Sequence, residues 1–259
     1  AAFNYFQAGG ESILVTRIVS GTYLPATASV AALGTGSDGG DYMTASFVLE
    51  TLSQGDIMNN SGSVTTSGSL ASGSGDNVRW EVASLDSGSG QFSLLIRRGD
   101  DNEKNKTILE TFTDLSLDPN SNNYIERVIG NQVQNFDTDS DGNRFIQVTG
   151  SFSNNSQFVR VKSVPKPTLN YLDNDGNFKA EYTSSLPKIG SGSVGAGAKL
   201  ERGAFGGGKG PKFGLGTGGQ RLRMFDEISV ASIQGVAAAD YTASIALLQN
   251  KDEYDFEVI

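Results

Sequence analysis

The sequence predicts an α+β fold. Three observations carry this: each end of the chain reads as a helix followed by a strand, the middle is dominated by short β-type segments, and two stretches rich in glycine and serine interrupt them. The expected organisation is an α/β body made from residues 1–22, 76–130 and 225–259. Residues 23–75 form a first β/loop insertion, and residues 131–224 a second β-rich insertion with a flexible glycine-rich loop. There is no internal repeat.

In chain order, Phe3, Tyr5 and Phe6 lie in a short helical segment that stops at Gly9-Gly10, a C-cap signal. Ser12 to Val19 is β-branched and mostly apolar, as a buried strand would be. Val78–Ala83 and Phe92–Arg98 read as strands joined by Asp86-Ser87-Gly88-Ser89-Gly90, with a third strand over Lys106–Phe112. After the turn at Asp118-Pro119-Asn120, the spacing of Tyr124, Ile125, Val128 and Ile129 predicts an amphipathic helix capped by Ser121 or Asn122. Phe145–Thr149 and Phe158–Val164 are further strands, with a turn at Asn154-Asn155. Tyr241, Ile245 and Leu248 share one face of a helix over Asp240–Asn250, and Tyr254, Phe256 and Val258 alternate as a strand. Ser20–Gly75 offers one apolar run, Phe47-Val48-Leu49. Ile189–Gly219 offers few residues able to enter a core and reads as an irregular surface loop open to proteases.

Composition narrows the chemistry. There is no histidine and no cysteine. That removes Ser-His-Asp and Cys-His catalysis, histidine bases and ligands, disulfides and thiolate zinc sites. The net charge of −9 disfavours nucleic acid as a partner. No apolar run reaches the roughly 18 residues of a membrane span, and the first residues lack the basic region of a signal peptide. Basic residues gather between Lys199 and Arg223, a solvated loop or a contact for an acidic neighbour.

Four motifs invite functional readings. Gly203 to Lys209 has the spacing of a phosphate loop, but Gly210 and Pro211 follow where a hydroxyl residue and a helix are needed. Gly190–Gly195 and Gly214–Gly219 match a dinucleotide fingerprint without the strand and helix that give it meaning. Asp137, Asp139 and Asp141 form the first half of a calcium loop, but Val148 stands where the bidentate glutamate belongs. A polar turn is the better account, with weak calcium binding as the sharper one. Asp173-Asn174-Asp175-Gly176-Asn177 reads the same way. Arg97-Arg98 ends a strand, so the two side chains face opposite ways and a structural ion pair is the expected role. Nothing singles out a pair of carboxylates for glycoside hydrolysis. No catalytic, cofactor-binding or metal-ligating residue is therefore assigned.

Three segments together resemble the sheath proteins of contractile phage tails. They are Tyr5–Val19, with its helix end, glycine turn and strand closing in Val15-Thr16-Arg17-Ile18; Phe92–Ile129, with its hairpin, strand and Asn123-Tyr124-Ile125-Glu126-Arg127-Val128-Ile129 helix; and Asp240–Ile259. The resemblance implies a structural subunit that polymerises in sixfold rings around a tail tube and contracts to drive the tube through the host envelope. It implies partners in other sheath subunits, tail tube and baseplate proteins, a place in the virion after assembly in the host cytoplasm, and no cofactor, nucleic acid, membrane insertion or small-molecule substrate. It also implies that the chain is a piece of a longer protein, without the terminal arm and tube-facing domain. The acidic, cysteine-free, Ser/Thr/Gly/Asn-rich composition equally suits a secreted or surface-layer β-rich adhesin-like protein.

Overall fold

The computed structural model describes residues 2–15, 23–34, 45–60, 65, 67–190, 203–210, 238–251 and 254. Mixed α+β character is present, with most of the regular structure in small antiparallel sheets. Four helices, α1 (Ala2–Gln7), α2 (Ile125–Ile129), α3 (Ala180–Thr183) and α4 (Ala238–Leu248), accompany eight strands among the described residues. The strands are β1 (Pro25–Val30), β2 (Phe47–Gln54), β3 (Val78–Asp86), β4 (Gln91–Arg98), β5 (Ile108–Leu115), β6 (Val133–Thr138), β7 (Arg144–Thr149) and β8 (Val159–Ser163).

The chain divides into two compact units: residues 22–133 with 149–210, and residues 1–21 with 134–148 and 211–259.

The larger unit holds two three-stranded antiparallel sheets, ordered β1-β2-β8 and β3-β4-β5. Period-two alternation explains which faces they bury. Ala26, Ala28 and Val30 of β1, Phe47 and Leu49 of β2, Val78, Trp80 and Val82 of β3, and Phe92, Leu94 and Ile96 of β4 belong to one apolar cluster. The Phe47 and Phe92 rings stack at 5.5 Å and tie the two sheets together. The stretch 23–75 thus contributes Ala26, Ala28, Val30, Phe47, Leu49 and Met58 to the main core. Its small residues hid this, because Ala-Thr-Ala-Ser-Val has the right period but little hydrophobic weight.

The β3–β4 turn forms as expected. Gly90 N–H bonds Asp86 O, and the Asp86 carboxylate accepts from Gly88 N–H and Ser89 Oγ. Helix α2 also forms, with Ile125 and Ile129 fully buried. Its N-cap is Tyr124 without a side-chain bond, not Ser121 or Asn122, whose positions fall within the preceding turns.

In the smaller unit, α1 closes with Gly9 N–H to Phe6 O and Gly10 N–H to Tyr5 O. The strand expected over Ser12–Val19 does not form in its described half. Residues 12–15 make no regular structure, and Ile13, Leu14 and Val15 are exposed, Val15 by 76%. A run of β-branched residues needs a partner ladder to become a strand, and none of the described residues pairs with it. Helix α4 forms, but Leu247 is buried, while Tyr241 and Ile245 are exposed. Tyr254 lies outside any strand, and the rest of that expected strand is outside the described residues. Among the described residues β6 and β7 form a two-stranded sheet, and β8 joins β2.

Candidate functional site

The densest chemistry in the larger unit lies on the face of β3–β4 turned away from the apolar core. Arg79 and Arg97 stand opposite each other in the β3–β4 register, and both are fully buried. Two guanidinium groups so placed repel, and each loses hydration. Asp101, in the loop after β4, resolves the conflict. Its Oδ1 accepts from Arg79 Nη1 at 3.2 Å and Arg97 Nη2 at 2.8 Å, and its Oδ2 from Arg97 Nε and Thr107 N–H at 2.8 and 3.0 Å. Glu81 accepts from Arg97 Nη1 at 2.6 Å and is capped by Lys106 Nζ at 2.7 and 2.9 Å. Glu103 lies 3.7 Å from Arg79, Arg97 and Lys106. Arg79 also donates to Gly68 O and Asp101 O, so the loops before β3 and after β4 are fastened over the sheet.

The charges balance: Arg79, Arg97 and Lys106 face Glu81, Asp101 and Glu103. Burial and the neighbouring Arg97 charge lower the Arg79 pKa. Burial also pulls Arg97 down, but the Asp101 hydrogen bonds and charge outweigh it, and its pKa rises. Every carboxylate here holds a cation. The network ties β3, β4 and the loops beside them together.

Two smaller anchors resemble it. Glu50 and Arg160 pair across β2 and β8 at 2.7 and 2.9 Å, both nearly buried. Glu110 of β5 accepts Ser156 Oγ at 2.6 Å and Gln157 N–H at 2.8 Å, which fixes the entry to β8.

A cleft of about 240 Å³ is lined by Thr51, Met58, Asn77, Leu109 and Phe158 among others. Its buried polar groups are already engaged. Thr51 Oγ1 bonds Ala26 and Ser53, and the Asn77 amide bonds Ile57 O, Ser72 O, Asn60 and Ser74 N–H.

The residues singled out by sequence fall as follows. Arg97 is buried in the network and the adjacent Arg98 is exposed, paired with Asp100, as the pleat requires. Asp139 builds the β6–β7 turn. Its Oδ1 accepts Asp141 N–H and Asn143 N–H, and its Oδ2 accepts Asn143 Nδ2. Asp137 accepts from Thr138 N–H. Asp173 repeats the arrangement with Asp175 and Asn177 N–H, so Asp-x-Asp-Gly-Asn makes the same turn twice. Among the described residues no group of three acidic side chains could hold a metal ion. Gly203–Lys209 makes no phosphate cradle: Phe205 enters the core, and Gly206 and Lys209 bridge to the β1 edge. The Gly214–Gly219 motif, most of Gly190–Gly195 and most of the basic cluster lie outside the described residues. Sequence reasoning missed Arg79, Glu81, Asp101 and Lys106. The available signal was Arg79 and Glu81 alternating with Val78, Trp80 and Val82.

In comparisons with known proteins, no family model, no curated protein and no solved structure matches this chain. No helix among the described residues is long and apolar enough to cross a membrane.

Proposed function

We propose that the chain is a structural subunit of a contractile tail sheath, which polymerises around a tail tube and contracts to drive it through the host envelope. Its partners in this reading are other sheath subunits, tail tube and baseplate proteins. Its place is the virion, and it acts without catalysis or cofactor. The α/β body expected from both chain ends belongs to the same proposal. The observation that carries the reading is the segment with the most specific resemblance: Phe92–Ile129 folds as strand β4, strand β5 and helix α2, the order the resemblance implies. A charge network closed on itself supports a load-holding role over a chemical one. A second reading, a secreted or surface-layer β-rich structural protein, is favoured by the two all-antiparallel sheets of the larger unit. Immunogold labelling with antibodies raised against this chain separates the two. The sheath reading expects gold along contractile tails of phage particles, and gold confined to a cell-surface layer would overturn it.

A further inference from the structure

The edge of β1 is covered by residues 203–210, a segment held without a continuous ladder. Leu24 and Lys209 exchange both backbone bonds at 2.8 and 3.0 Å, as do Thr27 and Gly206 at 2.8 and 3.0 Å. Trp80 N–H donates to Gly203 O at 3.0 Å, and Asn59, Asn60 and Asp56 engage more of its backbone. Asn60 Oδ1 accepts Phe205 N–H at 2.7 Å while Asn60 N–H donates to Phe205 O at 3.0 Å. Asn59 Oδ1 accepts Gly208 N–H at 2.7 Å, and its Nδ2 donates to Gly208 O at 2.8 Å. Asp56 Oδ1 accepts Gly210 N–H at 3.0 Å. One side chain, Phe205, anchors the segment in the core. Buried Asn60 also donates to Val78 O at 2.6 Å, so the reading groups are themselves fixed to β3.

This is how an extended peptide is recognised at a sheet edge: backbone bonds supply affinity, and one aromatic pocket supplies register. We propose that the groove formed by Leu24–Thr27 and Asp56–Asn60 is an interaction site, and that its intermolecular occupant is the Gly203–Gly210 segment of a second copy of this chain. The groove fits that sequence, because its own copy sits in it. Exchange between two copies restores every bond just named, so the exchanged form sacrifices no contact, and the β1 edge is covered in both the closed and the exchanged form. A segment joined by isolated bridges can leave without dismantling a sheet. The twelve residues 191–202 between Gly190 and Gly203 span about 40 Å at full extension, enough to reach a neighbouring molecule. Within one molecule the effective concentration favours the closed form, so exchange is expected where copies are crowded.

The cysteine-free chain makes the test direct. Leu24 and Lys209 are an exposed hydrogen-bonded pair, a position where Cα atoms lie about 5.5 Å apart, within disulfide range. Leu24→Cys and Lys209→Cys together in one chain should close an intramolecular disulfide. The two single variants, mixed at high concentration and oxidised, should give a mixed dimer beyond the statistical share of random thiol pairing. An added peptide of sequence Gly-Ala-Phe-Gly-Gly-Gly-Lys-Gly should abolish that excess, and the same peptide with alanine for phenylalanine should not. A double variant that closes internally while the mixed singles give only statistical dimers would overturn the proposal. So would a double variant that fails to close.

Discussion

Asp101 accepts from Arg79 and Arg97 at once, within 3.2 Å of each, whereas Glu103 lies 3.7 Å from both. Replacing it with asparagine leaves two buried like charges facing each other across β3 and β4, with Glu81 alone in short contact with Arg97. Breaking such a pair costs about 3–5 kcal/mol, so urea unfolding of Asp101→Asn should show that loss. Arg98→Ala, one residue from Arg97 but on the solvent side, should unfold with the wild type. Equal losses in the two variants would mean that the network is not the strut its geometry describes. Tyr124 and Glu126 test burial of another kind. Burial first, then the Glu126 charge, pushes the Tyr124 hydroxyl up from 10.0 to about 12. Below pH 10 both folded and unfolded chains hold this proton. Above it the unfolded chain releases the proton first, so stability falls as pH rises toward about 12, by roughly 2–3 kcal/mol in all. Burial also raises Glu126 above 4.5, against its bonds from Asn131 and Tyr124. The sign is the same: stability falls as pH rises through the window just above 4.5. Urea midpoints followed against pH should lose the alkaline limb in Tyr124→Phe and the acid-side slope in Glu126→Gln.

At the scale of elements, turns decide where the chain can go. Gly130 ends α2 with φ +106°, and a Cβ there would lie 2.3 Å from Asn154 Cα. Gly142 in the β6–β7 turn has φ +87° and nothing within 4 Å. Both positions carry backbone strain for an L residue, but only the first adds a backbone collision. Gly142→Ala should therefore cost about 1 kcal/mol, and Gly130→Ala about 2–5 kcal/mol. Thermal melts of the two variants give the comparison, and a mild Gly130→Ala would show that Asn154 can yield. The sequence announced the hairpin turns plainly, because Asp, Asn and Gly make them from local bonds alone. It did not announce the fate of Ser12–Val15, because a strand is decided by its neighbour and not by its own β-branched residues. Nor did it place the α2 cap: Ser121 and Asn122 are good capping residues, but the turn before the helix takes them up.

At the scale of the molecule, the legible part of the core was the part made of large residues with a clean period. Val78–Ala83 and Phe92–Arg98 were read as strands, and the α2 isoleucines were read from their helical spacing. Ala26, Ala28 and Phe205 were not. The two alanines carry little hydrophobic weight, and Phe205 is one aromatic in a run of glycines, where no periodicity can register. The charge network was equally hidden, because Arg79 and Asp101 are 22 residues apart and only the β3–β4 register brings them together. What joins the two sheets of the larger unit is then a question of a few contacts, and the Phe47–Phe92 stack is the most direct, at 5.5 Å with planes 16° apart. Each ring is also buried among its own sheet's residues, so truncating either one to alanine should cost about 3–5 kcal/mol from lost burial and the cavity left behind. The stack itself is a smaller quantity, carried only by the pair. In a double-mutant cycle it should appear as a coupling of about 0.5–1.5 kcal/mol, with the Phe47→Ala, Phe92→Ala double variant less damaged than the sum of the singles. Additive losses would mean that the sheets are joined by the surrounding core as a whole, including Trp80 and Phe205, and not by this contact.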